Sequence, residues 1–256
     1  MRAMISLLFW IATGILTLLM SVLVVICATL LLPFDRKRKI AHTLGYFWSD
    51  LLGLINPFWS IKVSGLENVN RKKSYVIVAN HQSMADIVAV YRTHMQFKWV
   101  AKDELFRIPI FGWSLSMIGY IRLSRGEFGS IKDVYTQAAN WLRKDISVLF
   151  FPEGTRSKDG QIQSFKNGAF KLAIKEAKPI LPIYISDTRN ILPRGSWIFN
   201  SKVKCMVMIL PCIDTAQYSP EGSDRLRDDV RDKLLKAAGQ SATVYAIKGK
   251  AIKYKD

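Results

Sequence analysis

The stretch Ser74-Tyr75-Val76-Ile77-Val78-Ala79-Asn80-His81-Gln82-Ser83-Met84-Ala85-Asp86 sets the frame for the rest of the chain. Its first part is a short β-branched and aromatic run that reads as a buried strand. His81 therefore stands where a strand stops and a helix is about to start. In open α/β sheets that edge is where ligands bind. The chain has three histidines, at 42, 81 and 94, and His81 alone joins a strand end to a carboxylate a few residues on. A neutral imidazole held by a carboxylate is the usual general base for activating a hydroxyl.

Spacing sets a condition on this pair. Two residues five apart on one helix lie roughly 140° from each other on the wheel, at about 100° per residue. His81 and Asp86 can meet only if His81 lies in the turn before the helix. Ser83 allows this as an N-cap, and Ser83-x-x-Asp86 reads as a capping-box variant. The competing reading is that Asp86 merely caps the helix and His81 lines a turn.

Composition narrows the partners. In 256 residues there is room for one α/β domain and an appendage. The formal charge of +17, from 37 Lys and Arg against 20 Asp and Glu, points to an anionic partner: phosphate ligands, nucleic acid or an anionic lipid surface. Cys27, Cys205 and Cys212 are scattered and lack metal spacing, so no metal and no disulfide framework is expected.

The N-terminus decides between those partners. No charged residue lies between Ala3 and Phe34. As a helix, at about 1.5 Å per residue, that run exceeds the roughly 30 Å hydrocarbon core. Asp35-Arg36-Lys37-Arg38-Lys39 follows as a basic cluster, which the positive-inside rule keeps in the cytoplasm. Leu44, Phe47, Trp48, Leu51, Leu52 and Ile55 then recur at helical spacing, and Asn56-Pro57 stops that helix. Three arrangements are open. The first helix spans and the second lies on the surface, the two dip as a hairpin into one leaflet, or the second packs on the globular part.

Residues 1–58 are thus expected to form a two-helix membrane anchor, and residues 59–256 a catalytic domain that holds His81 and Asp86 entirely. Within that domain, strand-like runs at 97–101, 117–123, 146–151, 180–185 and 203–210 alternate with helical stretches opened by Ser83, by Ser130 (with Ile131, Val134, Tyr135, Ala138 and Leu142 on one inward face), after Ser157 and by Ser219-Pro220. The alternation predicts an α/β fold with a mainly parallel central sheet flanked by helices.

Three further loops end strands and carry charge. Phe151-Pro152-Glu153-Gly154-Thr155-Arg156-Ser157 combines a turn with exposed amides, a glycine that permits close approach, and an arginine able to fork onto a phosphate. The plain alternative is a Glu153–Arg156 pair in an ordinary turn. Arg122 and Arg125 flank Leu123-Ser124, and strand alternation puts them on different faces. Lys102 opens the third loop.

Taken in order, Asn80-His81-x4-Asp86, Lys102-Asp103-Glu104-Leu105, Gly119 to Arg125, Phe151 to Ser157 and Leu181-Pro182-Ile183 resemble the blocks of the glycerolipid acyltransferase family, most closely its bacterial 1-acyl-glycerol-3-phosphate acyltransferases. One departure is Ser124, where the family usually has an acidic residue before its arginine. The resemblance implies transfer of a fatty acyl group from acyl-CoA or acyl carrier protein to the sn-2 hydroxyl of lysophosphatidic acid, giving phosphatidic acid. It casts His81 as base and Asp86 as its orienter. Lys102, Arg125, Glu153, Gly154, Thr155 and Arg156 become acceptor-binding candidates. It implies no cofactor beyond the acyl thioester co-substrate, and no nucleic acid. The expected location is a bacterial inner membrane, with the catalytic domain on the cytoplasmic face. Two rivals stand beside it: acylation of another lyso-lipid such as lyso-ornithine lipid, and a non-catalytic membrane-tethered binder of anionic ligands.

Overall fold

The computed structural model describes residues 1–124, 129–193 and 195–240. The chain opens with α1 (Arg2–Leu30) and α2 (Lys39–Ile55), then enters the sheet with β1 (Trp59–Ser64) and β2 (Val76–Ala79). Next come α3 (Ala85–Tyr91), β3 (Phe97–Lys102), the short α4 (Asp103–Phe106), α5 (Phe111–Ile118) and β4 (Ile121–Leu123). The last part holds α6 (Ser130–Arg143), β5 (Ser147–Phe150), α7 (Gly168–Lys175), β6 (Ile180–Ser186), β7 (Val203–Ile209) and α8 (Ser223–Ala237).

The described strands form one seven-stranded sheet in the order β1-β7-β6-β2-β5-β3-β4. All neighbours pair in parallel except β6 and β7. The carboxyl ends of β2, β3, β4, β5 and β6 therefore share one edge of the sheet with the amino ends of β1 and β7. Strands β2, β5 and most of β6 are buried on both faces, as crossover-linked strands must be. One face packs on a cluster containing Ile77, Ala79, Tyr91, Phe97, Leu149 and Leu181. The other packs on Val76, Val78, Val148, Phe170 and the Leu226, Val230 and Leu234 stripe of α8.

Three expectations are corrected here. Met117 to Leu123 is not one strand: α5 runs to Ile118, and β4 begins only at Ile121. Gly119, at φ +84°, ends the helix; its N–H and that of Tyr120 return to carbonyls of the last turn. The last helix starts at Ser223, after a Ser219–Gly222 turn, not at Ser219-Pro220. Ile131, expected on the inner face of α6, is exposed.

Helix α1 is the one helix among the described residues that is long and apolar enough to cross a membrane. It does not stand away from the domain. At its amino end Phe9 packs edge-on against Phe58, Trp59 and Phe199. Near its carboxyl end Val24 and Ala28 join the main core beside Ala41. Helix α2 buries Ala41, His42, Tyr46, Ser49 and Leu52 against the domain and leaves Phe47, Leu51, Leu54 and Ile55 exposed. It thus takes the third arrangement on one face and keeps an apolar second face.

Candidate active site

Strand β2 ends at Ala79, and its ladder is continued by a side chain. Asn80 Nδ2 donates to the Ile185 carbonyl at 2.9 Å, and the Ile185 N–H donates to Asn80 Oδ1 at 2.8 Å. This clasp ties the end of β2 to β6. The His81 backbone is then fixed from the other neighbour, β5. Its N–H donates to Glu153 Oε1 at 2.8 Å, and its carbonyl accepts from the Ser157 N–H at 2.8 Å.

The imidazole is held on two sides. Its ring stacks on Phe151, with centroids 4.2 Å apart and planes 21° from parallel. Nδ1 lies 2.7 Å from Asp86 Oδ2. A carboxylate accepts, so Nδ1 carries the proton, and in the neutral ring Nε2 is the bare acceptor. The His81 side chain keeps 20% of its exposure while Asp86 keeps none.

Asp86 also answers the two competing readings. Its Oδ2 accepts from the Gln82 N–H at 2.6 Å and the Ser83 N–H at 2.9 Å, which are the donors ahead of α3. The same oxygen therefore holds the imidazole and the turn ahead of α3, while the N-cap of the helix is Met84, not the expected Ser83, and has no side-chain cap. The helix proper begins at Ala85, two residues after Ser83, and leaves His81 in the preceding turn as the spacing requires. Oδ1 accepts from Thr188 Oγ1, a residue just beyond β6 that no local pattern singles out.

Glu153 faces inward. Oε1 accepts from His81 and Oε2 from the Gln163 N–H at 3.1 Å, and no ion pair joins it to Arg156 among the described residues. Burial pushes its carboxyl up to about 7, with the two amide donors pulling the other way. Gly154 has φ +71°, and a Cβ there would lie 2.9 Å from Lys166 Nζ. The glycine thus lets a further cation, which the sequence did not flag, rest against the turn.

Thr155, Arg156 and Lys102 are exposed, Lys102 at the carboxyl end of β3. In the sheet order β2-β5-β3-β4 they share the His81 edge. The structure brings His81, Asp86 and Glu153 into contact and sets the other three nearby without contact to the dyad. Arg125 lies outside the described residues. Arg122 pairs with Asp103 at 3.3 Å and lies over the Phe106 ring, so it is a bound surface charge.

Residues 60–186 match the family model described as Acyltransferase, which covers the sheet edge from β1 to the end of β6. A 1-acyl-sn-glycerol-3-phosphate acyltransferase of Borreliella burgdorferi is 32% identical over 177 residues, 69% of this chain and 70% of that protein. This chain belongs to the 1-acyl-sn-glycerol-3-phosphate acyltransferase family. A chloroplastic member from Arabidopsis thaliana is 40% identical over 190 residues, 73% of this chain. The matched region spans 53% of that relative's length and 65% of a Brassica napus one. The crystal structure of the 1-acyl-sn-glycerophosphate acyltransferase from Thermotoga maritima superposes with a TM-score of 0.80 at 26% identity, over 100% of both chains.

Proposed function

We propose that this protein moves a fatty acyl group from an acyl thioester to the sn-2 hydroxyl of 1-acyl-glycerol-3-phosphate, giving phosphatidic acid. The observation that carries the reading is the imidazole whose Nδ1 is bound to a fully buried carboxylate while the side chain stays partly open to the sheet edge. The names of the family members supply the acceptor.

In this reading His81 Nε2 takes the hydroxyl proton as the acceptor oxygen attacks the thioester carbonyl. Asp86 steadies the imidazolium that forms. The new C–O bond gives a tetrahedral oxyanion, which needs preorganised donors; amides of the loops after β2 and β5 are the candidates. Collapse breaks the C–S bond, and the thiolate takes the proton back from His81. No acyl-enzyme is needed. Lys102, Arg156 and Arg125, with Lys166 added from the structure, are the cations proposed to meet the acceptor phosphate. Glu153, with both oxygens taken by amides, serves by holding His81.

The donor is acyl-CoA or acyl carrier protein. Because α1 lies along the domain from Phe9 to Ala28, the anchor is proposed to sit with α2 in one leaflet, with the exposed faces of both helices in lipid. The Asp35–Lys39 cluster favours the cytoplasmic face of a bacterial inner membrane.

Purified protein given a panel of lyso-lipids with labelled acyl-CoA or acyl carrier protein tests this. Transfer to lysophosphatidic acid, with one free thiol released per ester formed, is expected. Transfer to lyso-ornithine lipid instead would replace the acceptor, and no transfer to any acceptor would sink the reading.

A further inference from the structure

The segment after β6 touches two places that the sequence puts in different parts of the molecule. Thr188, its start, is fully buried and donates from Oγ1 to Asp86 Oδ1. The segment then runs out and back. It is closed by the Asn200 N–H on the Ile191 carbonyl and by Asn200 Nδ2 on the Asn190 carbonyl, at 2.9 and 2.8 Å. Its return limb is fixed to the amino end of α1. The Phe199 N–H donates to the fully buried Ser6 Oγ at 3.1 Å, and Trp10 Nε1 donates to the Trp197 carbonyl at 2.9 Å. Phe9, Phe58, Ile191 and Phe199 fill the space between, and Ala85, the neighbour of Asp86, packs on the same cluster.

We infer that residues 188–193 and 195–200 form a strap through which the first turns of α1 position the Asp86 carboxylate, with Thr188, Ser6 and Trp10 as positioning residues. The inference rests on the acyl-transfer reading of the His81 site. Each link is short and stiff. The strap's two ends are hydrogen-bonded, its limbs are tied together at Asn190, Ile191 and Asn200, Phe199 packs on Phe58 and Trp59, and the receiving carboxylate has no exposure. Close-packed interiors pass small displacements on instead of absorbing them. A carboxylate that loses one of its donors, or turns by a few degrees, no longer presents Oδ2 squarely to Nδ1. The anchor then has a part in chemistry besides membrane contact, contrary to the expectation that the site is complete without residues 1–58.

The test uses the full chain in detergent with a short-chain, monodisperse acceptor, so that membrane presentation does not enter. Thr188→Val removes the hydroxyl at nearly constant shape. It should lower kcat about tenfold with KM unchanged, the scale of one hydrogen bond to a charged group. The acid limb of the pH–rate profile should move upward, because a carboxylate that has lost one of its donors holds the imidazolium more strongly. Thr188→Ser should restore both. The double variant Ser6→Ala, Trp10→Phe should lower kcat on the same acceptor by several-fold, again with KM unchanged. If that double variant weakens vesicle binding but keeps wild-type kcat on the monodisperse acceptor, α1 serves the membrane alone and the strap is wrong. If Thr188→Val keeps kcat and pH profile, the positioning role is wrong. A variant that loses its thermal transition is replaced by Ser6→Thr, which keeps the acceptor oxygen and should keep kcat; loss of kcat there with an intact transition would overturn the Ser6 link. A wild-type protein without transferase activity would instead refute the reading on which the inference rests.

Discussion

His42 and His81 both pack against aromatic side chains, His42 among four rings and His81 on Phe151, and both are hydrogen-bonded through Nδ1, yet their surroundings suit opposite purposes. His42 has no exposure. Its Nδ1 meets Tyr120 Oη at 2.9 Å and its Nε2 meets the Met95 carbonyl at 3.1 Å. Burial, and then the nearby Lys98 ammonium, hold it well below the usual histidine range. Every lone pair and proton it has is spent inside, and the ring joins α2 to the domain. His81 spends one nitrogen on a buried carboxylate and keeps the other at the open edge. His94 supplies a third case. Its Nε2 lies 2.9 Å from Asp50, but that side chain is 49% exposed and Asp50 is shared with Arg92. An imidazole beside a carboxylate is therefore not enough. A base needs a carboxylate that nothing else can turn, and a second nitrogen that nothing else has claimed.

The largest effect expected from this contrast is at His81. His81→Ala should cut transfer by about 10²–10⁴-fold, the range of a general base, in a protein that still folds and still binds vesicles. Retained turnover would move the base elsewhere and erase the distinction. His42→Phe should do the reverse. It leaves the Met95 carbonyl without its ring donor and costs about 1–3 kcal/mol of stability by denaturant titration, while the turnover of folded protein holds.

A pH effect separates Glu153 from both histidines. Its folded pKa, pushed up to about 7 from 4.5, means the folded state binds the proton more tightly than the unfolded one. Its contribution is fully present below about pH 4.5 and is lost as pH rises through about 7. Denaturation midpoints at pH 5 and pH 8 should fall more in the wild type than in Glu153→Gln, which cannot ionise. Equal slopes would mean the carboxyl is not desolvated. The smallest effect is expected at the exposed pair: His94→Ala should change stability by no more than about 0.5 kcal/mol and leave transfer unchanged. A larger loss would show that the shared Asp50 site matters more than its exposure indicates.

Much of this was legible before the fold was known, and for reasons that can be named. Strands buried on both faces write themselves as apolar runs, so Val76–Ala79, Ser147–Phe150 and Ile180–Ser186 stand out. Their ends carry Asn80-His81 and Pro152-Glu153-Gly154, and parallel pairing puts such ends together. The stretch 111–123 was harder because short apolar runs look alike as helix and strand; only Gly119 marks the break. Contacts across long separations left no local trace. Thr188 reaches Asp86 from 102 residues away, Asp50 reaches His94 from 44, and Ser6 reaches Phe199 from 193. The inward direction of Glu153 also escaped, since a carboxylate in a turn reads the same whichever way it points.

The most direct test of the central claim is Asp86→Asn, measured by kcat on a short-chain monodisperse acceptor together with the thermal midpoint. With its oxygen in the Oδ2 place the amide still accepts from the Gln82 and Ser83 N–H groups and from His81 Nδ1, so the turn ahead of α3 is kept. Its NH₂ then takes the Oδ1 place beside Thr188 Oγ1, and the negative charge that steadies the imidazolium is gone. If Asp86 orients the base, kcat falls by about 10²-fold or more while the midpoint barely moves. A variant that keeps wild-type kcat and only melts earlier would show that Asp86 is a helix cap, and that His81 is not the base described here.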